Sequence, residues 1–78
     1  MGNTQMRFKL SNNINILRSN IKISQEKLAS EIGVTRATIN AIEKGNYNPS
    51  LDLAFRLSRF FKLSIEDIFN IEGELWIN

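Results

Sequence analysis

Three polar residues stand close together in the sequence, Arg36, Thr38 and Asn40, with the small Ala37 among them. Side chains of this kind on one face of a helix can form hydrogen bonds with nucleic-acid bases. Arg36 is the first candidate, because arginine donates two hydrogen bonds to the O6 and N7 atoms of guanine. Thr38 and Asn40 can reach a base edge or a phosphate, and Ala37 can touch a thymine methyl group. These four residues are the predicted base contacts.

Other polar residues on either side of this group are suited to holding phosphates. Gln25 is expected to begin the preceding helix, where free backbone N–H groups and the helix dipole attract an anion that its amide could also bind. Contacts of this type fix the position of a protein on DNA but carry no sequence information. The predicted phosphate contacts are Gln25, Thr35, Lys44, Asn46 and Tyr47. Gln25 could instead be a solvated first-turn residue, and Tyr47 could pack under its loop.

The predicted base contacts have structural alternatives as well. Arg36 could pair at the surface with Glu31 or Glu43, in which case it would not be available to a base. Thr38 could do no more than solvate the helix, and Asn40 could belong to a dimer interface. The sequence alone leaves these alternatives open.

These side chains depend on two short helices, which an apolar pattern predicts between Gln25 and Gly45. The pattern follows helical spacing, breaks at Gly33 and restarts after Thr35. Its members are Leu28, Ile32, Val34, Ile39 and Ile42. Gly33 suits a helix end in the left-handed conformation, and Ala29 is small enough for a close helix crossing. Two helices joined by a turn of about three to four residues form a helix-turn-helix unit, whose second helix lies in the major groove.

The whole chain predicts a mainly α fold of five helices, with a short antiparallel β pair formed by the N- and C-terminal segments. The predicted helices begin at Asn12 or Asn13 (with Ile14, Leu17 and Ile21 on one face), and then span about Gln25–Ile32, Arg36–Lys44, Leu51–Lys62 and the turn from Ser64 through Phe69. The predicted strands are Arg7–Leu10 and Glu74–Ile77. A serine or threonine precedes each of the last four helices and can cap it. Residues 1–5 are expected to be disordered and residues 6–78 to form one domain, in which the segment from about 51 to 78 mediates dimerisation.

Composition limits the possible function classes. With 78 residues, the chain is near the lower size limit for an unaided core. It has no Cys and no His, and it offers no metal-ligand spacing or Gly-rich phosphate loop, so we expect no enzyme, no cofactor and no small-molecule ligand. No membrane span or signal peptide is evident, which favours the cytoplasm. Residues 7–62 carry a net charge of +6 and residues 63–78 of −4, and a basic body suits a polyanionic partner.

The large apolar residues exceed what one small core requires. The predicted core consists of Leu17, Ile21, Leu28, Ile32, Val34, Ile39, Ile42, Ala54, Leu57, Phe61, Leu63, Ile68 and Phe69. The residues without an evident place in it are Leu53, Phe60, Leu75, Trp76 and Ile77. Because an apolar surplus usually marks an interaction surface, we expect these five to form a homodimer interface. The alternative for Trp76 is that it only covers the end of the core.

The segment SQEKLASEIGVTRATINAIEKGNYNPSLDLAFRLSRFFKLSIEDIF resembles the Cro/CI-type (XRE) helix-turn-helix regulators of phages and bacteria. The resemblance runs from about Asn13 to Phe69. Its markers are Gln25, Ala29, Gly33, Ile39, Ile42 with Glu43, Gly45 and Asn48-Pro49-Ser50. It implies a lambda-repressor-like domain of five helices that regulates transcription, normally as a symmetric dimer on a palindromic operator. The strand-like ends resemble a subgroup of very short members with a small terminal sheet.

The resemblance also implies that Glu43 is structural and pairs with a basic residue of its own domain, with Arg18 and Arg56 as candidates. The expected function is therefore sequence-specific regulation of transcription, as a repressor, with double-stranded DNA and a second copy of the chain as partners. Antitoxins that mask a toxin share this fold, so a protein-interaction module of a toxin–antitoxin pair is the alternative. A controller of a restriction–modification system is a further possibility within the DNA-binding class.

Overall fold

The computed structural model describes the backbone of residues 5–77 and the side chains of residues 10–71. The elements are β1 (Gln5–Asn12), α1 (Ile14–Asn20), α2 (Gln25–Ile32), α3 (Arg36–Glu43), α4 (Leu51–Phe61), α5 (Ile65–Ile68) and β2 (Phe69–Ile77). The predicted mainly α fold with a terminal β pair is confirmed. We predicted disorder for residues 1–5, of which residues 1–4 lie outside the described residues and Gln5 begins β1. Within the described part of the chain, no helix has the length and apolar character needed to cross a membrane.

The α2–α3 unit forms because each helix end has a local hydrogen-bond partner. The Oγ atom of Ser24 accepts a hydrogen bond from the third N–H of α2 at 2.9 Å. Gly33 ends α2 with φ 81°, in the left-handed region that only glycine adopts without strain, and its N–H donates to the Ala29 carbonyl. Thr35 caps the start of α3, because its Oγ1 atom accepts a hydrogen bond from the Thr38 N–H at 3.2 Å. The predicted bounds of α2 and the predicted turn are therefore confirmed.

Two asparagines hold the start of α1 in different ways. Asn13 is the N-cap residue, but its side chain forms no capping bond. It donates instead to the Asp67 carbonyl at 3.1 Å, and its backbone N–H donates to the Ile68 carbonyl at 2.9 Å. The Oδ1 atom of Asn12 accepts the hydrogen bond from the Ile14 N–H at 3.1 Å. The start of the helical body is thereby joined to its end.

Helices α4 and α5 each begin with a serine cap, as predicted. The Oγ atom of Ser50 accepts from the third N–H of α4, and Ser64 forms a reciprocal capping box with Asp67. Helix α4 ends one residue before the predicted end, because Lys62 adopts the left-handed conformation with φ 58°. Helix α5 stops before Phe69, which is extended and begins β2.

Strands β1 and β2 form an antiparallel pair that continues out from the helical body. Asn12 pairs with Phe69 next to the helices, and Gln5 pairs with Ile77 at the far end. The register shifts between residues 7 and 9. Both strands are longer than predicted. Next to the helices they reach Asn12 and Phe69, which flank the hydrogen bond that joins the start of α1 to the end of α5.

The core consists of buried side chains from all five helices. They are Ile14, Leu28, Ala29, Ile32, Ile39, Ile42, Leu53, Ala54, Leu57 and Ile68. The partly buried residues that pack against them include Leu17, Val34, Phe61, Leu63 and Phe69, all predicted core members. Most of the predicted core is therefore confirmed, with some members at its margin.

Two expectations about the core are wrong. Ile21 is 51% exposed, because α1 ends at Asn20 and the helical spacing that would turn Ile21 inward ends with it. Leu53 is only 5% exposed and belongs to the core, since it lies one turn before the buried Leu57 on the same face of α4. The apolar residues outside the core are therefore partly different from those that the sequence suggested.

Candidate nucleic-acid interface

Helix α3 has one buried side and one accessible side. Ile39 and Ile42 are 0% and 1% exposed, and they fix the rotation of α3 about its axis. The predicted base contacts lie on the accessible side, Arg36 and Ala37 exposed and Thr38 and Asn40 half-buried. The structure thus brings these four residues together on one surface.

Arg36 is an exposed arginine at the first position of α3. No carboxylate among the described side chains lies within 4.0 Å of its guanidinium group. The two acids considered as its partners are engaged elsewhere, because Glu31 pairs with Lys27 at 3.0 Å and Glu43 pairs with Arg18. The N–H donors of Arg36 are therefore available to a ligand.

Thr35 and Thr38 form a compact cap at the start of α3. Their hydroxyl oxygens lie 3.0 Å apart, and Thr35 also accepts the hydrogen bond from the Thr38 backbone N–H. Thr38 therefore does more than solvate the helix. Only one of the two hydroxyl hydrogens is used between them, which leaves the other for a phosphate or a base edge.

An ion pair joins α1 to the C-terminal end of α3. Arg18 Nε lies 2.6 Å from Glu43 Oε2, and Arg18 Nη2 lies 3.1 Å from Glu43 Oε1. The two side chains are only 14% and 6% exposed. Arg18 Nη1 also donates to the Ile23 carbonyl at 2.9 Å, which ties in the loop before α2. The structural pairing of Glu43 with a basic residue is confirmed, and of the two candidates the partner is Arg18 rather than Arg56.

Both members of this pair are ionised at neutral pH. Burial raises the pKa of Glu43 and is the largest single effect, but the hydrogen bonds from Arg18 and Gln25 and the attraction of Arg18 together outweigh it. The pKa of Glu43 therefore lies below its ordinary value. The hydrogen bond with Glu43 raises the pKa of Arg18, against the smaller opposing effect of burial. An ionised Glu43 carboxylate accepts hydrogen bonds and donates none.

Gln25 belongs to the same cluster. Its Nε2 atom donates to Glu43 Oε1 at 3.0 Å and to Asn40 Oδ1 at 3.2 Å. An amide nitrogen carries two hydrogens, so both are in use, and the Gln25 side chain could donate to a phosphate only by giving up one of these bonds. No pattern along the chain predicts the bond to Asn40, because this bond depends on how α2 and α3 cross.

The remaining predicted phosphate contacts follow α3 directly. Lys44 is the exposed C-cap residue, and Gly45 turns the chain with φ 79°. Asn46 is exposed, and its N–H donates to the Ala41 carbonyl at 2.9 Å. Tyr47 is 46% exposed, so it is only partly packed against its loop. All three side chains are accessible at the end of the helix that carries the predicted base contacts.

Leu53 and Phe60 are the predicted dimer residues whose side chains the structure describes. Leu53 lies in the core, and Phe60 is half-buried against it. The predicted contacts whose side chains lie outside the described residues are Leu75, Trp76 and Ile77. The sequence did not single out Leu51 and Phe55, which are 71% and 53% exposed on the outer face of α4. Their helical spacing from Leu53 and Leu57 is the signal that could have placed them there.

The sequence of this chain is similar to those of known proteins. Residues 14–68 match the helix-turn-helix family. The chain is 48% identical over 65 residues to an uncharacterized HTH-type transcriptional regulator of Methanocaldococcus jannaschii. It is 46% identical over 65 residues to the uncharacterized HTH-type transcriptional regulator YgzD of Bacillus subtilis. Each match covers 83% of this chain and 98% of the relative. It is also 34% identical over 58 residues to the cryptic phage CTXphi transcriptional repressor RstR of Vibrio cholerae, which covers 74% of this chain and 52% of that repressor.

Proposed function

The chain belongs to the helix-turn-helix family of DNA-binding transcriptional regulators, which are not enzymes, and on that premise we propose that it is a sequence-specific repressor that binds an inverted-repeat operator as a homodimer. Helix α3 lies in the major groove and α2 crosses the phosphate backbone. The observation that carries the proposal is the exposed Arg36 on α3, unpaired among the described side chains, while the buried isoleucines hold the helix in place. The similarity to a phage repressor supports repression rather than activation.

Dimerisation is proposed because a single copy of α3 offers few base contacts. One copy of α3 offers about two good base contacts, each worth roughly 1–3 kcal/mol of discrimination. Specific complexes stand about 4–10 kcal/mol above non-specific ones. A second copy related by a two-fold axis doubles the contacts and places half-sites about one helical turn apart, roughly 34–36 Å. The operator is therefore a short inverted repeat.

Selection of bound sites from random double-stranded DNA tests this function. Wild-type protein is expected to enrich one inverted repeat, and Arg36→Ala is expected to relax the preference at one base pair in each half-site. Arg59→Ala is the matched control, because Arg59 is an exposed arginine on α4, outside the proposed surface. Failure of the wild-type protein to enrich any motif would contradict sequence-specific regulation.

The dimer interface is proposed on α4, α5 and β2, with Phe60 and the C-terminal residues Leu75, Trp76 and Ile77. Trp76→Ala is expected to raise the dimer dissociation constant at least about tenfold, which corresponds to roughly 1.4 kcal/mol. Sedimentation velocity measures it over a concentration series. Ile16→Ala is the control, since Ile16 is 61% exposed on α1. An unchanged dissociation constant in Trp76→Ala would place the interface elsewhere.

The exposed Leu51 and Phe55 favour a second candidate function, in which the outer face of α4 binds a protein partner such as a toxin. Helix α4 would then carry an interaction surface while α3 still binds DNA. Copurification of a tagged chain with a second small protein from its native cells, lost in Phe55→Ser, would support this function. Recovery of a homodimer alone would count against it.

A further inference from the structure

The ionised Glu43 carboxylate sets the orientation of the neighbouring Gln25 amide. The carboxylate can only accept, so the atom of Gln25 that lies 3.0 Å from Glu43 Oε1 has to be the N–H-bearing nitrogen. Arg18 holds that carboxylate with two further hydrogen bonds, which leaves it no freedom to rotate away. The ionised Glu43 carboxylate, held in place by Arg18, therefore determines the orientation of the Gln25 amide.

The orientation of the Gln25 amide in turn determines the orientation of the Asn40 amide. The second hydrogen of Gln25 Nε2 points to Asn40 Oδ1 at 3.2 Å, whereas a reversed Asn40 amide would set two NH2 groups against each other. Asn40 Nδ2 then lies on the other side of the amide. Among the described residues, Asn40 Nδ2 has no hydrogen-bond partner. Every buried side-chain nitrogen or oxygen atom in that part of the chain has such a partner, so Asn40 Nδ2 is not buried and is open to solvent.

We propose that Asn40 presents only its Nδ2 donor to the major groove, and that Arg18, Glu43 and Gln25 act as positioning residues for this specificity-determining side chain. The proposal rests on the proposed role of α3 as the recognition helix. An asparagine that reads adenine uses Oδ1 and Nδ2 together, one accepting from N6 and the other donating to N7. Because Oδ1 of Asn40 is turned towards Gln25, Asn40 does not offer Oδ1 and Nδ2 together to an adenine. The donor alone fits base atoms that accept, and guanine offers two of them side by side, O6 and N7, while thymine offers O4. Adenine offers N7 as well, but beside its N6 donor, which a lone Asn40 donor would leave without an acceptor.

The orientation can be tested on the DNA-free protein by NMR. Both side-chain amide hydrogens of Gln25 are expected to exchange with water more slowly than those of Asn46, an exposed asparagine without a side-chain hydrogen bond among the described contacts. Both Asn40 hydrogens are expected to exchange at the rate of Asn46. Slow exchange of an Asn40 hydrogen would show the reversed amide and overturn the proposal, whatever the protein does with DNA.

The consequence for specificity is tested by site selection with variants. Asn40→Ala identifies the base position that Asn40 faces, where the wild-type protein is expected to favour guanine or thymine. Asn40→Asp keeps the acceptor for Gln25 but turns the outward donor into an acceptor, and it is expected to shift the preference to cytosine or adenine by about fivefold or more. Gln25→Ala releases the amide and is expected to raise the share of adenine at that position.

Asn46→Asp is the matched control for the added negative charge. It is expected to lower affinity for every sequence without changing base preference, because Asn46 is a predicted phosphate contact. If Asn40→Asp behaves like Asn46→Asp, Asn40 holds a phosphate and the proposal is wrong. A wild-type preference for adenine at the Asn40 position would also overturn it. The proposed function fails differently, through the absence of any enriched inverted repeat with the wild-type protein.

Discussion

Helix α2 is attached to its neighbours by an arginine-containing cluster at each end, and the two clusters differ in burial. Near its N-terminal end, Gln25 joins the Arg18–Glu43 pair, whose side chains are 14% and 6% exposed. At its C-terminal end, Arg56 donates to the Ile32 carbonyl at 3.2 Å and pairs with Asp52 at 2.8 Å, and these side chains are 47% and 72% exposed. Each cluster contains an arginine–carboxylate pair, but the Arg18–Glu43 pair joins two helices and is shielded from water, whereas the Arg56–Asp52 pair lies within α4 and is exposed.

This difference decides what each ion pair contributes. A pair exposed to water contributes about 0–1 kcal/mol, because water and salt screen the charges and two long side chains lose freedom. Removing one partner of a buried pair leaves the other charge without a counter-charge in the interior, which costs about 3–5 kcal/mol. Helix α2 is thus held firmly on the side of α3, where base contacts are proposed, and loosely on the side of α4.

The largest expected effect comes from Arg18→Met. It leaves the Glu43 carboxylate buried without a counter-charge, with only the hydrogen bond from Gln25 remaining. We therefore expect a loss of about 3–5 kcal/mol in the free energy of unfolding, measured by urea denaturation at neutral pH. The double variant Arg18→Met/Glu43→Leu is the control, and it is expected to recover most of the loss because no buried charge remains. A loss below about 1 kcal/mol in the single variant would mean that the pair behaves as an exposed one.

Acidification tests the buried cluster at Glu43 by another route. The pKa of Glu43 is lowered in the folded state, so the unfolded state takes up a proton more readily and acid favours unfolding. The stabilisation is complete above the ordinary pKa of about 4.3 and is lost as the pH falls through the lower folded-state value. Stability curves from pH 7 down to pH 3 are expected to fall less steeply in Glu43→Gln than in wild type.

The glycine beside the looser cluster gives a smaller effect. Gly33→Ala is expected to lose roughly 1–2 kcal/mol of unfolding free energy, because φ is 81° there and a Cβ is strained in that conformation. The added Cβ would lie 3.5 Å from Arg56 Nη1, an ordinary contact, so no clash adds to the strain. Gly45→Ala has φ 79° and open space, and urea denaturation should show a similar loss. A much larger loss in Gly33→Ala would mean that the α2–α4 contact is less adaptable than its exposure suggests.

The smallest expected effect is that of Asp52→Asn. It removes the exposed pair with Arg56 but leaves the hydrogen bond from Arg56 to the Ile32 carbonyl, so the free energy of unfolding should change by about 0.5 kcal/mol or less. The same variant should bind its selected DNA site with unchanged base preference. A loss comparable to that in Arg18→Met would remove the distinction between the two ends of α2.

Local features of this fold could be predicted from the sequence, whereas features that depend on tertiary packing could not. The caps at Ser24 and Ser64 and the helix end at Gly33 involve residues within a few positions of each other, and the structure confirms them. The burial of Leu53 depends on how α4 settles against the other helices, and the sequence placed it wrongly. The bond between Gln25 and Asn40 depends on the crossing of α2 and α3, which no pattern along the chain specifies.

The hydrogen bonds of Asn13 to the carbonyls of Asp67 and Ile68 have a consequence for biosynthesis. The first of these bonds joins residues that are 54 positions apart in the sequence. The helical body therefore depends on long-range contacts, and it is complete only when its last helix is present. During translation, α2 and α3 leave the ribosome well before the buried Ile68 that completes their core. We therefore expect a nascent chain to acquire the proposed DNA-binding surface on α3 only after α5 has been synthesised, and an incomplete chain to lack the packed core that holds this surface in place.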